Sequence, residues 1–504
     1  MKKTILVMGC LAAGAALAEV SVSEIFSDNM VLQHGKNVSV WGKADPGEKV
    51  TVAFAGQSVE ATADAKGDWT AVLKPLEISK EGREFKVGAK TFKNVLVGDV
   101  WLVSGQSNSE MTFGWGVING KEEMAKAKDY PNIRQIKFWH RTSVLPNKFK
   151  MCNAGGWTVC DEARLSKVTA MGYFFAREIN AKTGIPIGIL DDNWSGCAIE
   201  PFICREGWAA VPAFSNRVEN IDKNIMKYEK SVEDFISAWQ RGDHEAVPPE
   251  QGNGDARQHN AMIEPIVRFP ITGALWYQGC SNGNEGMSYA EKLRALIAGW
   301  RTKWGYEFPF YIVQLASYTA KTDDPAGGNG YAKIRNAMRI AAQTIPKSGL
   351  AVAIDIGNAK DIHPKNKYDV GARLARWAMR DVYGDKDIVV SGPFYTGMKV
   401  EGDSIRVSFD YADGMFAGEK GPDTPGVAPV PAADGVLKGF AIAGADKKWH
   451  WATAKVDGKT VVVSAPEVKE PVAVRYAHRA NPMGDCNLYN AAGLPASPFR
   501  TDDW

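Results

Sequence analysis

The 504-residue chain predicts an α/β protein, with a central parallel sheet covered on both faces and a β-region at either end. Its middle alternates near-continuous apolar strands with helices that carry one apolar face, the pattern of a parallel sheet buried on both sides. The stretches before and after lose helical periodicity and read as short alternating strands between Gly and Pro turns. Length agrees, because 504 residues exceed a single core and call for about two to four domains.

From Glu19 to about Val95, "VSVWGKADPGEKVTVAF" alternates around a Pro-Gly turn, and "GDWTAVL" follows a second turn at Ala65-Lys66-Gly67. This predicts an N-terminal β-sandwich over 19–95. "DVWLVSG" then opens the parallel sheet. "SKVTAMGYFFAREINAKTG" sets Val168, Met171, Phe174, Phe175 and Ile179 on one helical face and stops at Gly184, before the strand "IPIGIL". The alternation returns three times. "ITGALWYQG" precedes a helix through Tyr289, Leu293, Leu296, Ile297, Trp300 and Trp304. "FPFYIVQLA" precedes a helix from Tyr331 to Thr344, and "LAVAIDIG" one from Tyr368 to Tyr383. The α/β domain is thereby expected over 96–385, with the polar-rich helical stretch Glu206 to Gln240 as an insertion at about 205–260. Over 386–504, "SIRVSFDY", "TVVVSA" and "PVAVRYA" predict a C-terminal β-region, without an internal repeat.

Lys and Arg number 60 against 58 Asp and Glu, a formal charge of +2. That balance makes no case for nucleic acid or an anionic membrane as partner. The start "MKKTILVMGCLAAGAALA" combines a positive end, an apolar segment and a small-x-small site before Glu19. It predicts a signal peptide over 1–18, cleaved after Ala18, and hence a periplasmic or secreted protein. Lipid attachment at Cys10 is the alternative. No later segment predicts a membrane span. In an exported protein Cys152–Cys160 or Cys197–Cys204 could close short loops. No Cys-x-x-Cys or His-Glu-x-x-His spacing occurs, so neither a metal nor another cofactor is expected.

Open parallel sheets bind ligands beyond the carboxyl ends of their strands. After "DVWLV" comes Ser104-Gly105-Gln106-Ser107-Asn108, and after "IPIGIL" comes Asp191-Asp192-Asn193-Trp194-Ser195-Gly196-Cys197. "GALWY" is followed by Gln278-Gly279-Cys280-Ser281-Asn282, and "LAVAIDIG" by Asn358-Ala359-Lys360-Asp361-Ile362-His363. Acyl transfer needs a nucleophile, a base to take its proton and donors aimed at the developing oxyanion. Ser107 can attack and His363 can accept the proton. The N–H groups of Ser107 and Gly196 and the amide of Asn282 can hold the oxyanion. His34, His140, His244, His259, His450 and His478 compete for the base role, but His363 follows a strand end and has an acidic neighbour.

"GQSNSEM", "NWSGCAIEPF", "ALWYQGCSN" and "DIHPKNK" resemble the block motifs of the sialate O-acetylesterase family within the SGNH hydrolases. "IFSDNMVLQ" and "VWGKADPGEKVTV" resemble its N-terminal β-domain, and "NLYNAAGLPASPFRTD" its C-terminus. The resemblance implies a metal-independent serine esterase that removes O-acetyl groups from sugars, sialoglycans above all. It implies Ser107 as nucleophile, Gly196 and Asn282 as oxyanion donors and His363 as base. Either Asp361 or a backbone carbonyl orients His363. Gln106, Glu200 and Gln278 are candidate substrate contacts; Trp115, Trp194 and Tyr277 could stack on a sugar, and Arg205 or Arg257 could meet a sugar carboxylate. The chain departs from the family pattern at three places: Cys280 stands where the family carries Glu, Ser109 where it carries Met, and Lys360 where SGNH enzymes often carry their acid. Acetylated xylan is an alternative substrate, and a carbohydrate-binding protein with vestigial blocks is the alternative class.

Overall fold

The computed structural model describes residues 20–147, 155–328 and 330–504. The expected signal peptide, Cys10 and Cys152 lie outside them. The central sheet is built from β1 (Lys90–Gly105), β2 (Ile133–Lys137), β3 (Ile187–Asn193), β4 (Gly273–Tyr277), β5 (Phe310–Val313) and β6 (Ser348–Ala351). Its order is 2-3-1-4-5-6, with every neighbouring pair parallel. The helices that position the site are α1 (Ser107–Glu110), α2 (Ala170–Thr183), α3 (Ser215–Gln240), α4 (Ser288–Trp304), α5 (Gly330–Thr344) and α6 (Lys367–Asp381).

Helices cover both faces, which is why the strands read as continuous apolar runs. On one face Trp101 of β1 meets Phe175 of α2 edge-on at 4.8 Å, and Tyr311 of β5 lies against Trp377 of α6. On the other, Trp276 of β4 and Phe310 of β5 pack on Trp300 of α4. Gly371 of α6 lets that helix close onto α2, since a Cβ there would stand 2.6 Å from Phe174.

β1 does double duty. Its first half pairs antiparallel with the strand Ser79–Val87, and its second half is the middle of the parallel sheet. The expected boundary at 95 therefore falls inside one unbroken strand. The strands Val38–Lys43 and Asp68–Leu73 pair antiparallel before it, as do Lys49–Phe54 and Gln57–Thr62. After α6, Phe394–Glu401, Ser404–Asp410, Thr460–Ser464 and Thr453–Asp457 form an antiparallel sheet.

Three sequence expectations need correction. The last strand stops at Ala351, and Ile354–Ile356 is a 3-10 turn. Asp355 therefore leaves the strand, because its buried carboxylate takes a two-pronged bond from Arg373 of α6 at 2.6 and 2.8 Å. The insertion is two helices, Arg205–Ala209 and α3, parted at Pro212. Cys197 and Cys204 are free thiols, each buried and engaged elsewhere: Cys197 Sγ reaches Gly105 O at 3.7 Å, and Cys204 Sγ accepts the Gly207 N–H. Among the described residues no helix is long and apolar enough to cross a membrane.

Arg335 of α5 fastens the C-terminal region to the sheet. Wholly buried, it donates to the carbonyls of Leu315, Ala316, Arg479 and Ala480 at 2.6 to 2.8 Å. Arg335→Met strands four buried carbonyls at once, so urea unfolding should show a loss of at least about 3 kcal/mol. An unchanged midpoint would mean that water substitutes for the guanidinium without cost.

Candidate active site

Gly105 ends β1 with a φ of +140°, and a Cβ there would stand 2.3 Å from the Tyr277 carbonyl oxygen. Only glycine lets β1 and β4 approach so closely at that backbone angle. The next residue, Gln106, donates its N–H to Tyr277 O at 3.1 Å and accepts the N–H groups of Gly279 and Cys280 at 2.9 and 3.0 Å. Every residue from Val95 to Phe113 is buried except Ser107. The apolar run thus exposes one side chain, a hydroxyl.

The Ser107 Oγ lies 2.8 Å from His363 Nε2. His363 sits on the loop between β6 and α6, where Asn108 donates to Ile362 O at 2.9 Å and Lys367 donates to Asn108 Oδ1 at 2.6 Å. Asp361 accepts the His363 backbone N–H at 2.9 Å, and its Oδ1 is 3.4 Å from Nδ1. That separation is beyond a good hydrogen bond, and Lys365 Nζ shares the carboxylate at 3.4 Å. Burial, then the Lys367 charge, push the His363 imidazole below its ordinary 6.5 against the pull of Asp361. It is therefore an unprotonated base at neutral pH. Trp115 stands edge-on to its ring at 6.1 Å.

Gly196, at φ +74°, has open space where a Cβ would be. Among the described residues neither its N–H nor that of Ser107 donates to a protein acceptor. The Ser281 Oγ donates to Gly196 O at 3.1 Å, bringing the third block against the second. Asn282 is more constrained than expected. Its Oδ1 accepts from Ile199 N–H and Gln278, while its Nδ2 donates to Glu200 at 3.0 Å and Glu285 at 2.8 Å. Both amide hydrogens are already occupied, so it reaches an oxyanion only by releasing one carboxylate. Lys292 bridges those carboxylates, 2.5 Å from each.

The expected substrate contacts turn inward. Gln278 has no exposed surface, and its amide bonds Cys197 O, Asn282 and Tyr289. Gln106 is the clamp between β1 and β4, and the Glu200 oxygens are held by Asn282 and Lys292. Trp194 stacks on His140 at 5.0 Å, Tyr277 is buried, and Trp115 stays exposed. Arg205 is paired with Asp222, whereas Arg257 makes no ion pair among the described residues. Of the competing histidines, His259 and His478 are buried and pushed down to about 3 by that burial. Sequence reasoning missed Lys367, Glu285 and Lys292; the spacing of Lys367, four residues past His363 in "HPKNK", was the available signal. His140, weighed there only as a competing base, is instead bound to Glu110. Among the described residues no three His, Cys, Asp or Glu side chains gather as a metal site.

Comparison with known proteins places the chain among carbohydrate esterases. Residues 235–380 match the family described as carbohydrate esterase, sialic acid-specific acetylesterase. The chain is 27% identical to the rat sialate O-acetylesterase (Rattus norvegicus), over 94% of this chain and 93% of that one. It is 28% identical to the mouse enzyme (Mus musculus), over 73% and 74%. The crystal structure of a carbohydrate acetylesterase from Xanthomonas citri superimposes with a TM-score of 0.80 at 33% identity, covering 96% of this chain and 100% of that one. Fold and relatives together define a carboxylic ester hydrolase that acts on acetylated carbohydrate. Within that class, the chain belongs to the sialic acid-specific acetylesterase family of carbohydrate esterases.

Beside the serine, Glu110 accepts from Ser195 N–H at 2.9 Å, Ser195 Oγ at 2.6 Å and His140 at 3.0 Å. Burial would raise its carboxyl, but the bonds from His140 and Ser195 and the Lys137 charge outweigh it and hold the group at about 2. Its folded value lies below the ordinary 4.5, so its contribution to stability is complete above 4.5 and is lost as pH falls toward 2. Glu110→Gln should flatten the urea midpoint across that window and leave it steeper in the wild type. Equal slopes in the two proteins would refute the shift.

Proposed function

We propose that this chain is an exported serine esterase of the SGNH type, hydrolysing O-acetyl esters on sugars, with O-acetylated sialic acids as its main substrates. The observation that carries the reading is the 2.8 Å contact between Ser107 Oγ and His363 Nε2 at the tip of the central strand. Ser107 attacks the acetyl carbonyl while His363 takes its proton. The oxyanion forms against two backbone donors that have no acceptor among the described residues, Ser107 N–H and Gly196 N–H, and Asn282 joins by exchanging its Glu285 contact for the substrate. Collapse expels the sugar hydroxyl, protonated by His363. Water, activated by the same imidazole, then releases acetate and restores Ser107.

Asp361 supports His363 through charge and through the backbone N–H it accepts rather than through a close Nδ1 bond. Gln106, Glu200 and Gln278 are positioning residues. Trp115 supplies the sugar-facing aromatic surface. Arg257, whose guanidinium makes no ion pair among the described residues, supports a sialic-acid carboxylate as its partner. The partition into a leader (1–18), a β-region (19–95), the α/β core (96–385) and a C-terminal β-region (386–504) belongs to the same reading, as does cleavage after Ala18.

The test is acetate release from an O-acetylated sialoglycan and from acetylated xylan. Ser107→Ala and His363→Ala should each lower kcat by roughly 10^4-fold or more, with the sialoglycan preferred by the wild type. Asn282→Ala should cost about 10^2-fold in kcat with little change in KM. Asp361→Asn should cost only about tenfold, because the carboxylate is solvent-shared. Full activity in Ser107→Ala, or a loss in Asp361→Asn as deep as that of His363→Ala, would refute these roles.

A further inference from the structure

Lys367 is wholly buried at the start of α6. Its ammonium donates to Asn108 Oδ1 at 2.6 Å and lies 5.1 Å from the centre of the Tyr277 ring. Among the described residues it makes no ion pair with a carboxylate, and Cys280 faces it from the turn after β4. A buried, unbalanced ammonium is costly, and here it completes a specific linkage. The amide of Asn108 that accepts from Lys367 also donates to Ile362 O at 2.9 Å. One chain of bonds therefore runs from α6, through the residue after Ser107, to the residue before His363.

We propose that Lys367 is a positioning residue for the Ser107–His363 pair, and that its charge, unbalanced because Cys280 brings no carboxylate, keeps His363 an unprotonated base in mildly acidic solution. The proposal rests on that pair being the esterase dyad.

The charges around the imidazole favour this outcome. His363 is faced by Ser107 and Trp115, by Asp361 and Lys365 on its own loop, and by Lys367 from α6. Lys367 is faced by Cys280, Asp361 and Lys365, with Tyr331 and Arg335 of α5 beyond Cys280. Two lysines thus oppose one half-exposed carboxylate. Burial pushes Lys367 down to about 7, so as pH falls it takes its proton before His363 does. An imidazolium would then be a second cation beside the first, and the coupling delays its formation.

The experiment is kcat/KM against pH on a chromogenic acetyl ester for wild type, Lys367→Met, Cys280→Glu and Cys280→Ser, with Ser107→Ala as the blank and circular dichroism for folding. Cys280→Glu supplies the missing carboxylate, so the acidic limb should move upward. The ratio of kcat/KM at about pH 5.5 to that at about pH 8 should fall about threefold. Lys367→Met should move the limb the same way and also lower kcat with KM little changed, because Asn108 loses its donor. Cys280→Ser should leave the limb in place. If Cys280→Glu does not fold, an NMR titration of the His363 ring in Lys367→Met gives the same reading. Limbs that coincide in wild type, Lys367→Met and Cys280→Glu, beside an inactive Ser107→Ala, would overturn the proposal. Activity surviving in Ser107→Ala would instead overturn the dyad beneath it.

Discussion

The side-chain oxygen of Gln106 accepts the backbone N–H groups of Gly279 and Cys280, and the rest of the site is arranged around that junction. It knots the carboxyl end of β1 to that of β4, one residue before Ser107 and two before Asn282. Gly105 makes the knot possible by letting the two backbones touch. Parallel strands otherwise diverge past their last ladder bond, and a serine on one would bear no fixed relation to an asparagine on the other. The clamp turns two strand ends into one rigid surface.

Polar groups around this surface are held mainly by one another. Glu110 gathers Ser195, His140 and Lys137, while Lys292 gathers Glu200 and Glu285 around Asn282. Such networks keep side chains at fixed angles in a low-dielectric setting. They also set which donors are available. Among the described residues the backbone N–H groups of Ser107 and Gly196 have no protein acceptor, whereas the Asn282 amide has two. A site that looks like a set of equivalent donors in sequence is therefore graded in structure.

The features legible in the sequence were those with a local signal. The apolar runs at Val100–Val103, Ile187–Leu190 and Ala274–Tyr277 are buried on both faces, so composition alone marks them as central strands. Ser107 follows the first of these runs, and His363, which the structure brings within 2.8 Å of it, lies on the loop before the next helix. The strand Ile133–Lys137 was not legible, since "IRQIK" buries Arg134 and Gln135 and breaks the alternation that strands usually show. Nor was the inward turn of Gln106 and Gln278, whose partners lie as far away in sequence as Gly279 and Cys197. The turn at Asp355 depends on Arg373, a residue of the following helix. Lys367 escaped notice because lysine rarely appears with no exposed surface.

β1 belongs at once to the antiparallel N-terminal region and to the parallel sheet that carries the serine. A region joined by a flexible linker can be exchanged, duplicated or lost in the course of descent without disturbing its neighbour. One joined through the interior of a continuous strand has no such freedom. Excising it would remove the first part of the strand that leads to Ser107, together with its pairing to Ser79–Val87 and Val31–Gln33. The N-terminal β-region and the parallel sheet are therefore built as one continuous hydrogen-bonded unit.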